Sequence, residues 1–253
     1  MTTLKTWLFI STLSLATTIL ASSFDHSHDK WTKLLKTYLT PEGNVRYAAW
    51  KKNTSDLDSY LKNLKNVSYK SYQSWTPDQK KAYLINAYNA FTIRLILNHY
   101  PVDSIKDIGS LFSSPWKKDF FSILDGRITS LDPIEHDWLR KKPELKDPRV
   151  HAAVNCASIS CPPLRNEAFD ANRIEAQLND STQAWLKDSS RNQFKKGKAE
   201  LSKIFDWFDE DFGGNDKGVL AFIEKHSPEL RKILGKDPSI SYLSYDWGLN
   251  KAP

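Results

Sequence analysis

Residues 76–100, TPDQKKAYLINAYNAFTIRLILNHY, constrain this chain more than any other stretch. Thr76 and Gln79 stand at the spacing of a capping box, with Pro77 at the first helical position and Pro101 as the stop. The pattern predicts a helix over 76–99. Ala82, Asn86, Asn89, Ile93 and Ile96/Leu97 share one face, apolar except for the two asparagines. A buried amide without partners costs about 1–3 kcal/mol. Asn86 and Asn89 therefore either cross-link a loop or line a site.

Around that helix the chain reads as further helices over 29–40, 55–65, 170–188 and 217–225. VRYAAW (45–50) reads as a short strand or extended segment. FFSILDGRITSL (120–131) reads as a hairpin on the Asp125-Gly126 turn, and a second hairpin turns at Gly197. A short helix starts at Asp132-Pro133, and RVHAAV (149–154) reads as a buried strand. In FDWFDEDF (205–212) the rings are expected to cap a core while the acids face water. Helices first, then hairpins mixed with short helices, predict an α+β fold without the regular alternation of a doubly wound sheet. There is no glycine-rich phosphate loop and no GxSxG elbow.

Lys5 followed by TWLFISTLSLATTILASS has the layout of a secretory signal peptide, which assigns 1–23 to the signal and 24–253 to a single globular domain. No later segment approaches the ~18 apolar residues of a membrane span. The expectation is an exported protein, periplasmic or secreted, with no stable membrane span after cleavage. The net charge of +6, from 36 basic and 30 acidic residues, is scattered in pairs, so no nucleic-acid module is expected.

RVHAAVNCASISCPP (149–163) holds both cysteines. His151, Cys156 and Cys161 are spaced unlike a zinc site, whose cysteines pair two to four apart with a second ligand pair, so no metal is expected. Two readings stay open. Export permits a Cys156–Cys161 disulfide. Alternatively, a cysteine entering a loop from a buried strand is placed for nucleophilic attack, provided a base activates it. On a regular strand His151 and Cys156 face opposite ways, which favours His136 as the base, reached through space.

INAYNAF (85–91), YPVDSIKDI (100–108), SLDPIEHDWLR (130–140), DPRVHAAVNCASISCPPLR (147–165) and LSKIFDWFDEDF (201–212) resemble, in order, the motifs of the domain-of-unknown-function 547 family. The resemblance spans roughly Trp31 to Ile223. It implies recurrent polar positions at Asn86, Tyr88, Asn89, Glu135, His136, Arg140 and Cys156, with His151 and Cys161 belonging to the bacterial form. It also implies kinship with papain-like and transglutaminase-like thiol hydrolases, although His136 precedes Cys156 here and the papain order is the reverse. One expectation is a thiol hydrolase or acyltransferase acting on an envelope-associated amide or thioester. Cys156 would be its nucleophile and His136 its base. Glu135 or the amide of Asn86 or Asn89 would orient the base, and Asn155 or backbone N–H groups would donate to an oxyanion. No cofactor enters. The alternative is a non-enzymatic envelope-binding module stapled by a Cys156–Cys161 disulfide.

Overall fold

The structure, a computed structural model, describes residues 24–109 and 113–253; the expected signal peptide, 1–23, lies outside the described residues. Five helices open it: α1 (Asp29–Tyr38), α2 (Tyr47–Lys52), α3 (Ser55–Lys65), α4 (Tyr69–Gln73) and α5 (Pro77–His99). The capping box forms as the sequence predicts. Thr76 Oγ1 accepts from Gln79 N at 3.2 Å, and Gln79 Oε1 accepts from Thr76 N at 2.9 Å. From Lys81 to Leu97 every residue of α5 except Arg94 is buried. A helix apolar nearly all round must be covered on every side. Here α2, α3 and the segment 131–139 pack on it, with α1 joining through α2 and α3. Stacked rings tie the cover together: Trp31 on Tyr60 and Tyr38 on Trp50.

Three expected β segments are corrected. In VRYAAW only Val45 is extended, bridged singly to Leu39 and Lys251, and α2 begins two residues later. The hairpin over 120–131 shrinks to one bridge, Ile123 to Ile128. Its turn takes three consecutive left-handed residues, Leu124, Asp125 and Gly126. The ladder also breaks early, because Phe120 N and Phe121 N both point at Thr129 O. RVHAAV is not a strand: Pro148–Ala152 form a 3-10 helix. Asp147 caps it by accepting from Arg149 N at 3.0 Å, and proline holds its first position, so local start signals outweigh the β preference of valine. Strand parity therefore says nothing about His151 and Cys156.

Between these segments α6 (Leu131–Pro133) runs directly into a π-helical turn, Ile134–Leu139. The remainder is α7 (Ile174–Lys187), β1 (Gln193–Lys195), β2 (Lys198–Leu201), α8 (Ile204–Trp207), a 3-10 turn at Asp209–Phe212, α9 (Asp216–His226), α10 (Pro228–Leu234) and β3 (Ser239–Tyr242). β1 and β2 form the expected hairpin through Gly197, and β3 lies parallel to β2, giving the order β1-β2-β3. A second, smaller core gathers Trp185, Phe205, Phe212 and Phe222 beneath this sheet and α9. The fold is α+β. Beyond β3 the tail returns to the first core. Gly248 O accepts from Ile159 N at 2.8 Å, Asn250 N donates to Ala157 O at 3.1 Å, and Asn250 O accepts from Val45 N at 2.9 Å. Among the described residues no helix is long and apolar enough to cross a membrane.

Candidate functional site

The two asparagines of α5 act as backbone clamps. Asn86 donates to Phe169 O at 2.7 Å and accepts from Phe169 N at 3.0 Å. Asn89 donates to Ala153 O at 2.8 Å and accepts from Asn155 N at 2.8 Å. Both belong to the loop-linking alternative, and Asn89 fixes the start of the cysteine loop to the rigid helix. Asn155 continues the same task. Its amide donates to Pro162 O at 2.8 Å, and its oxygen accepts from Ala157 N and Asn250 Nδ2. Its side chain is thus committed within the loop, which departs from the expected oxyanion donor. Ala157, fully buried with φ of 62°, turns the chain so that Cys156 leaves the loop toward a cleft.

Cys156 is bonded to Cys161, with Cα atoms 6.2 Å apart, and Cys156 N donates to Cys161 Sγ. The hydroxyls of Ser158 and Tyr245 each lie 3.2 Å from Cys156 Sγ, and Ser158 donates to Tyr245. Burial pushes the Tyr245 phenol up to about 12, against the hydrogen bond from Ser158, so it stays a donor at neutral pH. Arg191 holds the loop from outside through Cys161 O and Ile159 O, both at 2.6 Å.

The π-helical turn supplies the facing wall. Burial first, and then the Glu135 charge, push the Tyr88 phenol well above its ordinary range; Tyr88 is hydrogen-bonded to Glu135. His136 Nδ1 accepts from Arg140 Nη1 at 2.8 Å, which places the proton of the neutral ring on Nε2, 3.8 Å from Asp132. That tautomer offers no lone pair at Nε2, contrary to the base role expected of His136. Arg140 also donates to Asp211. His151 Nε2 meets Asp211 at 2.8 Å, its Nδ1 lies 4.0 Å from Glu135, and its ring stacks on Phe208 at 4.4 Å. Burial alone would raise the Asp211 carboxyl. The hydrogen bonds from His151 and Arg140 outweigh it and hold that carboxyl below the usual range.

Cys156, Cys161, His136, His151, Glu135 and Tyr88 all line one cleft of about 260 Å³. Arg140 stands one layer behind, while Asn86, Asn89 and Asn155 underlie the loop. Sequence reasoning missed Tyr245, whose 89-residue separation from Cys156 leaves no local trace. It saw Asp211 only as a solvated acid; the acid is instead buried against His151 and Arg140. Its place among phenylalanines in FDWFDEDF was the available signal, because an acid flanked by buried rings needs a partner. Among the described residues no group of three or more His, Cys, Asp or Glu side chains is arranged to hold a metal ion.

No curated protein and no solved structure matches the chain. A family model described as "Protein of unknown function, DUF547" matches residues 72–186, the stretch carrying α5, the π-helical turn and the cysteine loop. By that match, joined to the motifs at 85–91, 130–140 and 147–165, the chain carries a DUF547 domain over residues 72–186.

Proposed function

We propose that the cleft is the active site of an exported thiol-dependent hydrolase or acyltransferase in which Cys156, once reduced, attacks an amide or thioester. The observation that carries this reading is the convergence of Cys156 with the His151–Asp211 pair in one cleft. His151 replaces His136 as the base, since a proton on Nε2 directed at Asp211 leaves the lone pair on Nδ1, 4.0 Å from Glu135. The Tyr245 and Ser158 hydroxyls at the sulfur would steady a thiolate. In the reaction the thiolate forms a C–S bond to the carbonyl carbon. The leaving amine or thiol departs with a proton from His151, and water or an acceptor amine then releases the acyl group. A thiol reductant must first open the disulfide. The paired cysteines and the N-terminal signal pattern support export to an oxidising compartment.

The disulfide also favours a second reading, a non-catalytic binding module in which the bond is a staple. Cys161→Ser separates the two by leaving Cys156 as a free thiol. On the catalytic reading Cys156 in that variant is alkylated by iodoacetamide at least tenfold faster than an unstructured peptide thiol at pH 7, and His151→Ala removes the advantage. Alkylation at the peptide rate in both proteins would leave the binding module.

A further inference from the structure

The same cleft carries a second signature, in its walls rather than in its sulfur. Trp116, Trp207, Phe208, Tyr245 and Trp247 face it. Trp247 organises the mouth: Trp207 stacks on it at 5.6 Å, Tyr245 leans on it at 4.5 Å, and Trp116 meets it edge-on at 5.7 Å. Trp207 stays 42% exposed although it is among the largest apolar side chains. Aromatic faces attract cations through their quadrupoles. This chain uses them in that way itself: Lys106 Nζ sits 3.8 Å above Trp247, and the Arg140 guanidinium 4.6 Å from Phe208.

The charge of the lining points the same way. The whole chain carries 36 basic residues against 30 acidic ones. Yet the residues facing the cleft include two carboxylates, Asp132 and Glu135, and neither lysine nor arginine; the Lys106 ammonium that covers one face of Trp247 is not among them. Arg140, behind the wall, is already paired with Asp211, which also meets His151 Nε2 at 2.8 Å. His136 accepts Arg140's hydrogen bond, the pattern of a neutral ring. A small aromatic-walled cavity whose carboxylates meet Tyr88 and the histidine rings rather than a lysine or arginine, in a basic protein, is complementary to a positive, poorly hydrated head group.

We propose that the cleft binds an organic cation, an ammonium group on a short alkyl chain, held between the Trp207–Trp247–Tyr245 rings and the carboxylates of Asp132 and Glu135. The volume of about 260 Å³ suits a head group of that size rather than a drug-sized ligand. The inference rests on the cleft of the thiol reading, where such a group would mark the amine-bearing end of a substrate, but it needs no reactive sulfur.

The test uses the chain in its disulfide form, titrated with choline and with 3,3-dimethyl-1-butanol, which has the same shape without the charge. Binding is read by calorimetry and tryptophan fluorescence. Choline is expected to bind at least tenfold more tightly than the alcohol, and more weakly as salt rises. Glu135→Gln and Trp207→Ala are each expected to weaken choline at least fivefold, with circular dichroism confirming the fold. Asp132→Asn is a second charge variant should Glu135→Gln unfold. Equal binding of choline and the alcohol overturns the proposal, as does no binding of either. So does preferential binding of a neutral oligosaccharide, which would make the rings a sugar platform. Because the sulfur is oxidised throughout, a failed choline titration leaves the thiol reading standing, and inert Cys156 leaves the cation site standing.

Discussion

Asn89 bonds two backbone groups of the cysteine loop, Ala153 O and Asn155 N. Asn89→Ala should therefore cost about 2–3 kcal/mol in urea unfolding, because a truncated partner leaves buried groups unpaired. The need for partners was legible in the sequence, since an amide on an apolar helix face must be satisfied. Their identity was not, because the partners lie 64 and 66 residues away. His28 gives a second residue-scale expectation. It is buried, with Nδ1 2.7 Å from the Tyr60 hydroxyl, and burial pulls its pKa down to about 3. The unfolded chain binds that proton near pH 6.5 and the folded chain only near 3. Between those values unfolding takes up a proton, so stability falls as pH drops through the window. Urea midpoints at pH 7, 5.5 and 4.5 should fall progressively. His28→Gln should flatten the slope by about one proton, leaving a remainder from His26 and His226, which burial also lowers. An unchanged slope would contradict the burial of a neutral ring.

At the scale of elements, start signals were the most legible feature and β preference the least. Thr76-Pro77 and Gln79 announced α5 because a capping box is satisfied within four residues. Pro148 carried the same kind of signal for the 3-10 helix, capped by Asp147, but the valine and alanines after it read as strand. Strand preference depends on a neighbour to pair with, and among the described residues no strand or bridge pairs with 149–154. The consequence reached the site, since the misread strand set His151 apart from Cys156 when both line the cleft. Glycine in α9 supplies the prediction at this scale. Within a helix, Gly→Ala normally stabilises by about 1 kcal/mol. At Gly218 a Cβ would lie 2.2 Å from Phe212 O and 2.7 Å from Gly213 Cα, both backbone atoms of the turn that carries Asp211. Gly218→Ala should instead destabilise by about 2 kcal/mol, a value in the range for overpacking, read as a lower thermal midpoint. A raised midpoint would mean that the turn yields freely.

The whole molecule sets what a family segment can do alone. Residues 72–186 contain α5, the π-helical turn, the cysteine loop and all but the last residue of α7. The residues that cover α5 from the N-terminal side, among them Trp31, Leu35, Trp50, Leu57 and Leu64, are buried and lie outside the segment. So does most of the second core, including Phe205, Phe212 and Phe222, and so does the tail bonded to Ile159 and Ala157. A helix apolar nearly all round would then present a large exposed patch, which monomeric proteins avoid. Expressed alone, 72–186 is expected to aggregate or to melt without a cooperative transition, whereas 24–253 should unfold in one; circular dichroism and tryptophan fluorescence against temperature compare them. A sharp melt of the fragment would show that the motifs form an autonomous core. Even then the cleft would be incomplete, because Asp211, Tyr245 and Trp247 come from beyond residue 186. His151 would lose the acid that anchors its Nε2, and the sulfur would lose a hydroxyl partner. The fragment should then neither show the alkylation advantage expected of Cys156 nor bind choline.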